Sequence, residues 1–123
     1  MILIGDKLVP FEKFYNISNI EDIQNTKANC VISFSYNEII LKYCFDNDLE
    51  FAIIITNIKE AIYANCLNAK YLICNKTLAI NIQKLADNYM FDSKILAIID
   101  SNDEIEEIAL KEIDGIIYKD VIN

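Results

Sequence analysis

The sequence contains no histidine, no tryptophan and no arginine; all 11 basic residues are lysines. Each absence removes a chemistry. Without histidine there is no imidazole general base and no Cys/His zinc site. Without arginine there is no planar fork to grip a phosphate in bidentate fashion. The only two glycines, Gly5 and Gly115, cannot build a P-loop or a GxGxxG turn. Long hydrophobic runs are missing too. Stretches such as Phe51 to Ile55 fall far short of the ~20 apolar residues that span a bilayer. Met1-Ile2-Leu3-Ile4 is followed at once by Gly5-Asp6-Lys7, which is too short for a signal-peptide core. These features imply a cytoplasmic protein.

What is present is a foldable chain. Of its 123 residues, 54% are hydrophobic and 24% charged, which suits one globular unit and not a disordered segment. We read residues 1–123 as a single α/β domain. Nineteen acids against 11 lysines give a net charge of −8. That field repels nucleic acid and anionic membrane surfaces, so neither is an expected partner. Cys30, Cys44, Cys66 and Cys74 show no CxxC spacing. They read as buried small hydrophobes in a reducing compartment, with no metal site and no cofactor.

The centre of the chain alternates two patterns. Val31–Phe34, Phe51–Ile55, Tyr71–Cys74, Ile95–Ile99 and Ile116–Tyr118 are nearly continuous in apolar character. That is the mark of strands covered on both faces, as in a parallel sheet. Ile53, Ile54, Ile73, Ile98 and Ile117 are the expected fully buried positions. Strand starts lie 20, 20, 24 and 21 residues apart, which is room for one helix and two short loops each time. Ser35 with Glu38, Asn57 with Glu60, Ser101 with Glu104 and Ser18 with Glu21 have capping-box spacing at the helix starts. Beyond Thr77, Leu78, Ile82, Leu85, Ala86 and Tyr89 trace one helical face. Asp114-Gly115 reads as the turn that launches the last strand.

Five such units imply a parallel α/β sandwich of three layers, flavodoxin-like, with helices on both faces. Half of a (β/α) barrel fits the same spacing. Ahead of it, Ile2–Ile4 and Lys7–Val9 flank Gly5-Asp6 and predict an N-terminal hairpin or one extra strand, ended by Pro10. Phe11 to Thr26 reads as an aromatic-anchored loop with a short helix near Asn19 to Asn25.

The alternation resembles response-regulator receiver domains, whose chemistry needs paired acids, an Asp acceptor, a hydroxyl and a Lys at successive strand ends. Here the strand ends offer Asp6, then Thr56, then Asn75-Lys76-Thr77, then Asp100. No acid stands at the phospho-acceptor position. Flavodoxins share the expected fold, but no strand runs into their hydroxyl-rich phosphate loop. Ile113-Asp114-Gly115-Ile116-Ile117-Tyr118 looks like the late strands of phosphate-binding barrels such as aldolases and phosphodiesterases. The glycine-rich phosphate loops of those barrels are missing.

Ligands of open parallel sheets bind at the carboxyl ends of the strands. The candidate binding residues there are Ser35, Thr56, Asn57, Thr77, Ser101 and Lys119. Lys76 and Asp100 are the candidate catalytic groups, Lys76 as a Schiff-base amine if burial lowers its pKa. Most of these residues equally suit helix capping. The expected function is that of a non-catalytic module that binds a ligand or partner or associates with itself. An enzyme of phosphorylated metabolites, with Lys76, Asp100 and Thr56 converging on one cleft, is the alternative. Helix starts would suit a small anionic ligand. Thirteen aromatics, including Phe11, Phe14, Tyr15, Tyr89 and Phe91 in the less regular segments, favour an exposed patch and a homodimer. The competing outcome is that Phe11, Phe14 and Tyr15 fold back as a lid.

Overall fold

The computed structural model describes residues 1–26 and 29–123. Seven parallel strands form one sheet. They are β1 (Ile2–Ile4), β2 (Phe14–Asn16), β3 (Val31–Ser35), β4 (Phe51–Ile54), β5 (Tyr71–Cys74), β6 (Lys94–Ile99) and β7 (Gly115–Tyr118). The helices are α1 (Ile20–Ile23), α2 (Glu38–Asp46), α3 (Ile58–Cys66), α4 (Lys76–Tyr89) and α5 (Ile105–Leu110). Short 3-10 turns cover Asn102–Glu104 and Lys119–Ile122. The strand order is β1-β7-β6-β5-β4-β3-β2.

That order fixes the layering. From β2 to β7 each strand is laid beside its predecessor in the same direction. Right-handed crossovers therefore carry the helices to the same side of the sheet. One core cluster joins Phe34, Phe51, Ile53, Leu72, Ile95 and Ile116 to Leu41, Ile82 and Ile108 of the helices. The other cluster contains no residue of α1–α5: Ile4, Phe14, Val31, Ala52, Tyr71, Ile73, Leu96 and Ile117 are buried against one another. Strands bury that face by curling. Phe14 of β2 stacks on Tyr71 of β5, three strands away, with ring centroids 5.9 Å apart. Asn16 of β2 donates to the Val121 carbonyl beyond β7 at 3.0 Å, so the two margins of the sheet approach each other. The parallel α/β class implied by the sequence is present, in the curled form of a half barrel.

Four local expectations are corrected. The segment from Ile2 to Val9 is not a hairpin: Ile2–Ile4 forms the extra strand, parallel to β7, and Lys7–Val9 is not a strand. Gly5 at φ +94° turns the chain out of β1, where a Cβ would meet Val121 at 2.6 Å. Gly115 serves close approach and not a turn, since a Cβ there would lie 2.4 Å from the Ile2 carbonyl oxygen. Two caps shift. Asn37 caps α2 in place of Ser35, and Asn19 with Asp22 forms the box of α1 in place of Ser18 with Glu21. On α4, Ala79, Ile82, Gln83 and Ala86 face the sheet, while Tyr89 is exposed.

Burial differs from expectation at Ile54, Ile98, Cys66 and Cys30. Ile53, Ile73 and Ile117 are fully buried, but Ile54 and Ile98 are half-buried because they face the open carboxyl mouth of the curl. Cys44 and Cys74 are buried, where desolvation raises both thiol pKa values, that of Cys44 to about 11. Cys66, at the end of α3, is exposed, and Cys30 is half-buried. The segment from Phe11 to Thr26 holds β2, a strand of three residues too short for its pattern to announce, and the expected short helix α1.

Candidate functional site

At the carboxyl ends of β1, β6 and β7 lies a cleft of about 740 Å³. The loop after β1 supplies Asp6, Lys7 and Leu8. The loop after β6 supplies Asp100 and Ser101, and the end of β7 supplies Tyr118 with Asp120 and Val121 beyond it. Ile105 and Glu106 of α5 complete the wall. The Asp6 carboxylate accepts the Leu8 backbone N–H at 2.8 Å and the Tyr118 hydroxyl at 3.0 Å. Those two bonds hold its pKa below the usual carboxylate range. Desolvation, then the hydrogen bond to Asp6, raises that of Tyr118.

The expected convergence of Lys76, Asp100 and Thr56 on one cleft does not occur. Asp100 and Ser101 line the cleft; Lys76 and Thr56 do not. Lys76 Nζ, in the first turn of α4, lies 2.6 Å from Glu104 Oε1 and 2.8 Å from Glu107 Oε1. The Glu104 hydrogen bond, followed by that of Glu107, raises the pKa of this largely solvated amine. A Schiff-base lysine needs the opposite shift. Glu104 is depressed to about 2, first by the Lys76 hydrogen bond and then by the Asp100 and Ser101 backbone N–H groups.

The remaining candidates are spread along the rim. Thr56 donates its backbone N–H and hydroxyl to Glu60 Oε1 at 2.8 and 3.1 Å. Asn57 caps α3 through the Glu60 N–H, and Ser101 forms a complete box with Glu104. Thr77 is exposed on α4, and Lys119 is exposed after β7. Ser35 is exposed at the end of β3, beside Tyr36 and Asn37 in a separate cleft of about 230 Å³. Asn75, which caps α4 through the Leu78 N–H, completes the series.

Sequence reasoning placed Asp6 at a strand end without joining it to Asp100, and it missed Tyr118, Val121 and Glu106 among the cleft residues. The signal was the strand end Ile2-Leu3-Ile4-Gly5-Asp6, which falls at the same level as Ile99-Asp100 only when β1 is paired parallel to β7. Among the described residues, no group of three or more His, Cys, Asp or Glu side chains is placed to hold a metal ion. Compared with protein-family models and with curated proteins, the chain matches neither.

Proposed function

We propose that this chain is a non-catalytic binding module of the cytosol, which takes a small ligand or a protein partner at the carboxyl ends of its strands and pairs with a second copy of itself. One observation carries the preference for binding over catalysis. The rim side chains best suited to chemistry are committed elsewhere: Asn57, Asn75 and Ser101 to helix starts, Thr56 to Glu60, and Lys76 to Glu104 and Glu107. The sign of the cleft speaks against the phosphorylated-metabolite alternative. Asp6, Asp100, Glu106 and Asp120 face it against the single amine of Lys7. A neutral or cationic molecule suits that lining better than the small anion suggested by the helix starts.

Self-association is supported by exposed apolar side chains, among them Leu8 and Phe11 in the segment after β1 and Ile39 on α2. Buried thiols at Cys44 and Cys74 fit a reducing compartment. No helix among the described residues is long and apolar enough to cross a membrane.

Two measurements test the proposal. A phosphate monoester at millimolar concentration should leave the melting midpoint unchanged; a concentration-dependent rise would revive the enzyme reading. Light scattering after size exclusion should give twice the 14.1 kDa chain mass at micromolar concentration. A mass that stays at one chain as concentration rises would remove self-association from the proposal.

A further inference from the structure

Each link from β2 to β7 contains a helix, but the chain between β1 and β2, the two edge strands of the sheet, contains none. Both strands point the same way, so residues 5–13 must run back from the carboxyl end of β1 to the amino end of β2. Nine residues reach at most ~30 Å when extended, enough for that return because the curl brings the two margins of the sheet together. Pro10 in the middle offers no N–H for a ladder. The stretch lies over the seam of the curl and not in it: Leu8 is 87% exposed and Phe11 46% exposed. Between Val9, Pro10 and Phe11 on one side and Ile2, Ile4 and Tyr71 on the other lies a cleft of about 550 Å³. The middle of the segment is therefore poorly packed onto what it covers.

Its ends are tied by carboxylates. At one end Asp6 receives the Tyr118 hydroxyl of β7. At the other, Glu12 receives the Tyr71 hydroxyl of β5 at 2.6 Å and the Lys70 ammonium at 2.7 Å. Tyr71 belongs to the inner face and stacks on Phe14, so the second tie reaches into that cluster. We infer that residues 5–13 are a hinged strap, latched at both ends by carboxylate–tyrosine pairs, which opens over the inner face when those carboxylates lose their charge.

The groups around the latches support that direction. Lys70 also faces Glu50 at 3.5 Å, and Lys13 lies over the Tyr15 ring at 5.4 Å. Asp100, Glu106, Asp120 and Lys7 share the cleft around Asp6. Burial opposes the charge on Glu12, but the hydrogen bonds from Lys70 and Tyr71 outweigh it and hold the carboxyl below its ordinary 4.5. Asp6 is held below its ordinary 3.8 by the Leu8 N–H and the Tyr118 hydroxyl. A carboxyl depressed in the folded state stabilises it above the unfolded value and ceases to do so as pH falls through the folded one. The Glu12 latch thus weakens only below pH 4.5 and the Asp6 latch only below 3.8, each letting go as pH falls through its lower folded value.

The test holds pH constant first. At neutral pH, chymotrypsin should cut after Leu8 at least tenfold faster in Glu12→Gln than in the parent chain, with the far-UV spectrum unchanged. Tyr71→Phe, which keeps the ring on Phe14 and removes only the hydroxyl, should give the same acceleration to a smaller degree. In the parent chain, acidification should raise binding of an apolar dye before the far-UV signal falls, and Glu12→Gln should remove most of that early rise. Parental cleavage rates in both variants would overturn the inference. Dye binding that rises only together with loss of secondary structure would overturn it equally.

Discussion

The two faces of the sheet are made of the same isoleucines and differ in what covers them. On the outer face Ile53, Leu72 and Ile116 meet helices, and every one is fully buried. On the inner face the cluster of Ile4, Ile73 and Ile117 is covered by the opposite wall of the curl and by Val121 and Ile122 of the last 3-10 turn, and the residues nearest the carboxyl mouth, Ile54 and Ile98, stay partly open. A helix brings its own apolar stripe and seals a strand along its whole length. A curl seals best at the middle and least at its rims. Openings at such a sheet belong where the sealing is weakest, and the larger cleft lies at the carboxyl rim.

The comparison makes its largest prediction within one strand. Ile53 and Ile54 are neighbours on β4 and point to opposite faces. Ile53→Ala removes a fully buried side chain under a rigid helical layer and should cost about 2–5 kcal/mol, lost transfer energy plus a cavity. Ile54→Ala should cost about half as much, since that side chain is already partly in water. Denaturant midpoints of the two variants decide the matter. Equal losses would mean that the inner face is sealed as tightly as the outer one.

Gly115→Ala tests the pairing of the edge strand β1 with β7. The added methyl would meet the Ile2 carbonyl oxygen at 2.4 Å and Leu96 Cδ2 at 2.9 Å. Backbone cannot step aside as a flexible side-chain end can, so β1 must shift away from β7. The expected cost is about 1–3 kcal/mol, in the range of overpacked cores. Amide exchange should quicken in residues 2–4 and remain slow in β4 and β5. Uniform loss of protection would show that β1 and the rest of the sheet unfold as one unit.

The same contrast explains what could be read in advance. Five central strands and the helices between them were legible because apolar runs and small polar caps recur on a fixed spacing, as at Phe51–Ile55 followed by Asn57. Continuous apolar strands say that both faces are covered; they do not say whether the second cover is a helix or the sheet itself. β2 escaped notice because Phe14-Tyr15-Asn16 is short and alternates only once. The cleft was half legible. Asp100 and Ser101 follow an obvious strand, whereas Asp6 joins them through the β1–β7 pairing, which no local pattern encodes. Lys76 was misplaced for a similar reason: its carboxylate partners lie 28 and 31 residues away.

The smallest expected effect concerns that lysine, which ties α4 to the segment leading into α5 across the helical layer. Ion pairs this exposed contribute little, because solvent screens them and ordering a long side chain offsets the gain. If packing alone seals the outer face, Lys76→Met should lower the melting midpoint far less than Ile53→Ala does. Its small deficit should also depend on pH with a defined sign. Glu104 sits at about 2 in the folded protein against an ordinary 4.5. Its stabilising contribution is therefore present above pH 4.5 and fades as pH falls toward 2. Because Lys76 is the largest cause of that depression, the gap between parent and variant should narrow over the same interval. The Glu12 latch on the inner side should instead govern the strap, as measured by cleavage, while leaving the helical layer intact. A midpoint loss in Lys76→Met as large as that of Ile53→Ala would show that the outer layer, too, depends on its charges, and the distinction between the two faces would fail.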